Sequence, residues 1–289
     1  MLNGNRKALQ FHRAGYVVVG EGLSADDMLA LQASSIALNR HAQSILDGVV
    51  SNGTPLATLY KAMGPELIAV PEEDDAQKVC RFEYLAGTDA VIRERIVPKL
   101  TSIIRESTGF EVTLFKDKCN AKNPGGGAFD PHQDVIAYDA FRPKFHITVA
   151  VFLDAATSLN GCLNFPVDYL RDLAAHRTQQ NHTPVGLRPV LESYEGGSNH
   201  GNIRRELSDK IRWKEVLASP GDVIVFDSYV PHYSEKNRST DSRRAMFFTF
   251  NVVEDGEHYE DYYALKRADF GNPKFHIATP TNFDDAEAN

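Results

Sequence analysis

The chain has 289 residues, 42% hydrophobic and 24% charged, which is enough apolar material for a sizeable core and too much for a disordered polymer. A formal net charge of −8 argues against the basic face that non-specific nucleic-acid binding needs, and three scattered cysteines are too few for a disulfide scaffold or a structural zinc cage. No window approaches the ~20 apolar residues of a membrane span, and the N-terminal MLNGNRKALQFHRAG lacks the apolar stretch of a secretory signal, so a cytoplasmic protein without membrane or nucleic-acid partners is expected.

The first third reads as mostly helical. YVVVGEG is a short strand, after which Ser24 caps a helix whose first turn carries Asp26 and Asp27 and whose apolar face runs to about Leu46. A second helix is predicted from Thr88, as cap, to Ser107, with Gly109 stopping it and Pro98 kinking or splitting it. Past Gly109 the character changes. EVTLFKDKCNAK, FHITVAVFLD, GDVIVFDSYV and RRAMFFTFNVV are rich in β-branched and aromatic residues and are separated by turn formers, which predicts a sandwich or a barrel closed on itself. Residues 170–215 are polar and irregular and read as an active-site insertion, a lid, within that core. EHYEDYYALKRADF returns to helix. The class is therefore α+β in one domain: a mainly helical layer over 1–109, a β core over 110–255, and a helix and tail over 256–289.

Ten histidines make metal binding the first chemistry to consider. Two of them have a carboxylate two residues on, His132 with Asp134 in PHQD and His258 with Glu260 in EHYE. In a strand, positions i and i+2 share a face, and PHQD adjoins the β-rich region; EHYE opens a helix, where such positions diverge. His232, at the end of GDVIVFDSYVPH, supplies a third ligand. Two His and one Asp form a facial arrangement that leaves an octahedral ion open on one side, which suits Fe(II) with a cosubstrate and O2 rather than a closed structural zinc. A 2-oxo acid on that open face needs a buried cation for its far carboxylate, and Arg243 opens an apolar strand eleven residues after His232, sharing a face with Ala245, Phe247 and Thr249. Gly125, Gly126 and Gly127 lack the helix and Lys-Ser/Thr of a phosphate loop and read as a hinge.

PHQD, GDVIVFDSYVPHYSEKNRS and SRRAMFFTF resemble the metal and cosubstrate motifs of the phytanoyl-CoA dioxygenase-like (PhyH) family of Fe(II)/2-oxoglutarate oxygenases, and FHRAGYVVVGEGLSADDM and LNGCLNFP are similar to that family's N-terminal segment and Asn-Gly-Cys-Leu turn. These segments cover most of the chain from about residue 11 to 253, in the family's order. The resemblance implies a double-stranded β-helix (jelly-roll, cupin-like) core, His132, Asp134 and His232 as iron ligands, Arg243 as anchor of 2-oxoglutarate, and hydroxylation of an unactivated C–H bond with release of succinate and CO2. Retention of an aspartate in the triad favours hydroxylation over halogenation. One departure is NFPVDYLRD in place of a Pro-Gly-Ser-His element, which bears on the lid.

KDKCNAKNPGGGAFDPHQD, KFHITVAVFLD, VPHYSEKNRS and EDYYALKRADF further resemble a subgroup that hydroxylates the α-carbon of aminoalkylphosphonates. A phosphonate needs cations. Lys118, Asn120 and Lys122 alternate and share a strand face, where Lys118 and Asn120 bind either substrate or 2-oxoglutarate, or where the lysines line a solvated edge. Thr148 belongs either to the cosubstrate and metal surroundings or to a backbone hydrogen bond; His146 is either a core histidine or a substrate contact. His200 and Arg204 in the lid and Tyr138 complete the substrate candidates, and Trp213 with Tyr138, Phe141 and Phe145 forms either an aromatic cage for a quaternary ammonium or ordinary packing. The small-molecule substrate is thus a phosphonate, or else an amino-acid derivative or secondary metabolite; a non-catalytic small-molecule-binding β-barrel is the reading from a different class, and a homodimer is left open.

Overall fold

The structure, a computed structural model, describes residues 2–72, 75–138, 140–176, 179–196 and 199–276. Helix α1 (Leu2–Ala14) leads into strand β1 (Tyr16–Val19) and helix α2 (Ala25–Asn52). Ser24 starts α2 through a reciprocal capping box with Asp27, and Gly53, at φ +63, ends it in the left-handed region. Helix α3 (Leu56–Ala62) follows. Two strands then interrupt the layer read as helical, β2 (Ile68–Pro71) and β3 (Val79–Glu83), before the short helix α4 (Leu85–Thr88).

The helix expected from Thr88 starts differently. The Thr88 hydroxyl donates to the Tyr84 carbonyl, and it is Asp89 that caps, its carboxylate accepting from the Ile92 N–H at 2.9 Å. A wide π turn over Ile92–Ile96, closed by the Val97 N–H on the Ile92 carbonyl, precedes α5 (Val97–Thr108). Pro98 is the physical cause: it has no N–H to continue the α ladder, so the preceding turn widens around it.

The β region supplies β4 (Val112–Lys122), β5 (Phe129–His132), β6 (His146–Phe152) and β7 (Leu163–Pro166). After helix α6 (Tyr169–Asp172) come β8 (Gln179–Thr183), β9 (Gly186–Val190), helix α7 (Arg205–Ser208), β10 (Trp213–Val216), β11 (Val223–Asp227), β12 (His232–Ser234), β13 (Arg243–Val252) and helix α8 (Tyr259–Ala268). The stretch read as an irregular lid therefore holds a β8–β9 hairpin and two short helices, and its C-terminal end is already a core strand. Seven strands form one antiparallel sheet in the order β1-β11-β6-β13-β4-β3-β2, and four form a second, β10-β7-β12-β5. The two sheets face each other, as Phe165 against Phe226 shows, with ring centroids 5.4 Å apart.

Strand alternation explains both layers. On β13, Ala245 and Phe247 point between the sheets with Ala150, Phe152 and Ile224, whereas Met246 and Phe248 point under the helices with Leu31, Leu38 and Ile104. β4 lies between β13 and β3, so its lysines are on no solvated edge; Lys116 and Lys122 are buried. Two sheets of antiparallel strands with a helical layer on the larger one make the α+β jelly-roll that the resemblance implies. Among the described residues no helix is long and apolar enough to cross a membrane.

Candidate metal centre

His132 and His232 meet because β5 and β12 are neighbours in the smaller sheet and pair these two residues directly, bringing the ring centroids to 4.3 Å. Asp134 reaches them by another route than expected. It does not share a strand with His132; it opens a 3-10 turn, Asp134–Tyr138, immediately after β5. His232 likewise begins β12 rather than ending β11, since the turn 228–231 carries the chain from the larger sheet to the smaller. One potential ligand atom from each of the three residues lies within 4.8 Å of the others, with His132 Nε2 3.9 Å from Asp134 Oδ1.

The donor set fits a metal ion. Each imidazole turns Nδ1 toward the carbonyl two residues before it, His132 to Asp130 at 2.7 Å and His232 to Val230 at 3.1 Å. Those carbonyls fix the Nδ1–H tautomer and leave both Nε2 lone pairs aimed at the shared point. Burial pushes His132 down to about 3 and lowers His232 as well, so both are neutral ligands at physiological pH. Burial alone would raise Asp134, but His232, His132 and Lys116 outweigh it and hold the carboxylate at about 2. His258 is elsewhere, its Nε2 on the Asp255 carbonyl at the start of α8.

The same cavity is lined by Lys118, Asn120, Thr148, Phe226, Thr249 and Arg243, among others. Arg243 is 2% exposed, and its Nε and one terminal nitrogen are buried without a partner among the described residues. An arginine left so is a site for an anion.

A family model described as Phytanoyl-CoA dioxygenase (PhyH) matches residues 11–245. The chain belongs to the PhyH family. Members of this family are iron(II)- and 2-oxoglutarate-dependent oxygenases, and the triad and the unpaired arginine fit that cofactor and cosubstrate. Among curated relatives, a 2-aminoethylphosphonate dioxygenase of uncultured bacterium HF130_AEPn_1 is 39% identical over 193 residues. That match covers 66% of this chain and 66% of the relative, just under two thirds of its length. A methylphosphonate hydroxylase of Gimesia maris is 35% identical over 71% of this chain and 73% of its own. Among solved structures, EctD from S. alaskensis with 2-oxoglutarate and 5-hydroxyectoine superposes with a TM-score of 0.59 at 20% identity, covering 86% of this chain and 76% of that one, which bears out the fold.

Within this PhyH chain the remaining candidates divide. Thr148 stands beside Asp134, its hydroxyl 3.4 Å from the carboxylate and 3.0 Å from the Thr249 hydroxyl. Tyr138 lines the cavity. Lys122, expected at the substrate, instead donates to the Ser234 hydroxyl at 2.8 Å and to the Glu235 carbonyl, fastening the strand that carries His232. Gly161 of the Asn-Gly turn makes that fit possible, because a Cβ there would overlap the Glu235 carbonyl oxygen. His146 is fully buried between Phe115 and Tyr138, away from the cavity, and burial holds it neutral with a pKa of about 3. His200 accepts from the Gly196 N–H at 2.7 Å, and Arg204 pairs with Glu192 at 2.8 Å over the Tyr194 ring; neither lines the metal cavity. The aromatic cage does not assemble: Trp213 packs on Tyr233, Phe145 on Phe110, and Phe141 on Phe115.

Three residues that matter here were missed in the sequence. Gln133, between two ligands, donates to the Pro189 and Tyr229 carbonyls and accepts from the Leu191 N–H, stapling β9 and the β11–β12 turn to the metal loop. No local pattern distinguishes such a glutamine. Lys116 and Arg81 stand beside the metal cavity. Lys116 was legible as the next alternate position before Lys118; Arg81 was not, because β3 was read as helical territory. Burial, with Lys116 and Arg81 as neighbours, pushes Lys118 down to about 7.

Proposed function

We propose that this chain hydroxylates a C–H bond of a small phosphonate, with the α-carbon of an aminoalkylphosphonate as the foremost candidate, consuming 2-oxoglutarate and O2 and releasing succinate and CO2. The observation that carries the chemistry is one cavity with three converging potential ligands near one part and, in another, a buried guanidinium two of whose nitrogens have no partner among the described residues. The phosphonate follows from two relatives of 39% and 35% identity that are both named for phosphonates.

Iron(II) held by His132, Asp134 and His232 would supply dioxygen activation coupled to oxidative decarboxylation of the 2-oxo acid. The protein's own residues orient and shield. Arg243 would take the distal carboxylate in a dry setting, where a charge-assisted pair is strong. Thr148 and Thr249 would keep the Asp134 carboxylate turned toward the metal. Lys118 and Asn120 stand along β4 on the same inner face, within reach of either the cosubstrate or the substrate. Phe226 and Phe247 exclude water from between the sheets.

The test is succinate release by the iron-loaded protein with 2-aminoethylphosphonate, its trimethylammonium analogue and methylphosphonate, against β-alanine and ectoine. Phosphonate-stimulated succinate that disappears in His132→Ala is the expected result. Stimulation by the carboxylates alone would overturn the phosphonate, and undiminished turnover in His132→Ala would overturn the iron centre.

A further inference from the structure

The inner face of the larger sheet carries more buried positive charge than Arg243 accounts for. Arg81 and Glu83 on β3 pair in register with Asn120 and Lys118 on β4, and Lys116 follows two residues before Lys118 on the same face. Lys266 of α8 reaches in from the side. Arg81, Lys116, Lys118 and Lys266 thus gather near Glu83, in a chamber that Asp134 and Lys274 also line. Lys266 holds both Glu83 oxygens at 2.8 Å and Arg81 approaches one of them at 2.8 Å, so Glu83 is already satisfied. The Lys116 and Lys118 ammonium groups form no hydrogen bond or ion pair with the described residues; Lys116 lies 4.8 Å from the Tyr138 ring centre and Lys118 5.5 Å from that of Phe247. Both line the metal cavity, beside His132 and Asp134. Asp134 faces both lysines, but a single carboxylate that would also ligate the metal does not balance two ammonium groups.

Resting on the phosphonate reading above, we propose that Arg81, Lys116 and Lys118 form the subsite for the substrate's dianionic phosphonate group, separate from the 2-oxoglutarate anchor. Register separates the two. Arg243 opposes Lys122 on β4, whereas Lys116 opposes Thr249. That is a six-residue step, about 20 Å along the strand, farther than a five-carbon diacid held at the metal and at Arg243 extends; Lys118 lies four residues from Lys122, and Arg81, opposite Asn120, is set off from Arg243 by the width of β4 rather than by register. A phosphonate dianion also matches the chamber in charge, with two negative charges for the two lysines left without a carboxylate partner and Arg81 shared with Glu83, where a monoanionic carboxylate would match only one of those lysines. The α-carbon is bonded directly to that phosphorus, so a phosphonate seated beside His132 and Asp134 keeps its α C–H nearest the metal.

The experiment measures methylphosphonate binding calorimetrically to protein loaded with Fe(II) and 2-oxoglutarate without oxygen, in wild type, Lys116→Met and Lys116→Arg. Succinate release with 2-aminoethylphosphonate is followed in parallel. Methionine keeps the apolar stem, and Tm and 2-oxoglutarate affinity serve as folding controls. The expected result is binding weakened about tenfold or more in K116M, the loss of one charge-assisted hydrogen bond, partly restored in K116R, with 2-oxoglutarate affinity unchanged. Phosphonate turnover with binding and KM unaltered in K116M would overturn this subsite and leave the phosphonate reading standing. Lys116-dependent binding without turnover would support the subsite and overturn the reading. No binding and no turnover in wild type would overturn both, and a loss of 2-oxoglutarate affinity in K116M would reassign Lys116 to the cosubstrate.

Discussion

Replacing Arg243 with methionine separates a binding charge from a structural one. Arg243 is 2% exposed, and two of its guanidinium nitrogens have no partner among the described residues. Burial pushes its pKa down to about 10, still far above neutrality, so the group is a buried charge with an unmet demand for an anion. A residue placed there for stability would destabilise the fold when removed. A residue placed there for a ligand does the opposite: removing an unpaired buried charge is neutral or stabilising, and ligand affinity falls. Losing a desolvated charge pair costs about 3 kcal/mol, a factor of roughly 150 in affinity. The assay pairs thermal unfolding with 2-oxoglutarate titration of the Fe(II)-loaded protein. Arg243→Met is expected to match or exceed the wild-type Tm without ligand, to raise KM for 2-oxoglutarate about a hundredfold, and to lose the ligand-induced Tm shift. A variant that keeps that shift, with KM within threefold of wild type, refutes the anchor; one that melts far below wild type refutes the claim that the guanidinium is unpaired in the resting protein.

Gln133→Leu deletes three buried hydrogen bonds and strands three backbone groups, so urea unfolding should show a loss of about 2–4 kcal/mol, with weaker iron binding as the ligand loop loosens. Lys122→Met should lower iron affinity and kcat through the freed Ser234 and Glu235, yet leave KM for the phosphonate unchanged; a selective rise in that KM would return Lys122 to the substrate site. Asp117 accepts from the Leu85 and Ala86 N–H groups, and burial raises its pKa to about 6. The folded protein therefore binds the extra proton between the unfolded value of about 4 and 6. Stability conferred by that proton is complete below pH 4 and falls by ~2–3 kcal/mol as pH rises to 6. Asp117→Asn should flatten this part of the stability profile, and an unchanged slope would refute the assignment.

How much of this was readable from residues alone depends on whether the signal was local. The triad and Arg243 were legible because local pattern marks each of them: a carboxylate two residues after His132, His232 where an apolar run ends at Pro231, and an arginine opening the apolar strand β13. The inner face of β13 followed from period two alone. Asp134 was found for a partly wrong reason, since its i+2 spacing works through a 3-10 turn and not through a shared strand. The strands β2 and β3 were hidden because each is only four or five residues long, and β3, which joins the pair to the sheet, finds its partner β4 some forty residues on. Lys122 and His146 were misjudged for a related reason. Alternation says which face a side chain takes, but only the neighbouring sheet decides whether that face opens on the cavity, on Ser234 or on Phe115.

Period two also ties the chemistry of β4 to its stability. Lys116, Lys118, Asn120 and Lys122 project between the sheets, while the intervening Cys119 joins the layer under the helices. A slip of one residue would carry three lysines into that apolar layer, at a cost of several kcal/mol for each unpaired charge. The register is thus fixed by the same residues that make the face cationic. It is interrupted where the lysines stop: the β4–β13 pairing shifts between Thr249 and Phe250, leaving Phe115 opposite no residue, and that ring joins the aromatic cluster with Tyr138, Phe141 and Tyr262. A chain of net charge −8 can in this way present a locally positive chamber. The distant acidic surface is screened within about 8–10 Å, so an anion that reaches the inner sheet responds to Arg81, Lys116, Lys118 and Arg243 and not to the protein's overall field.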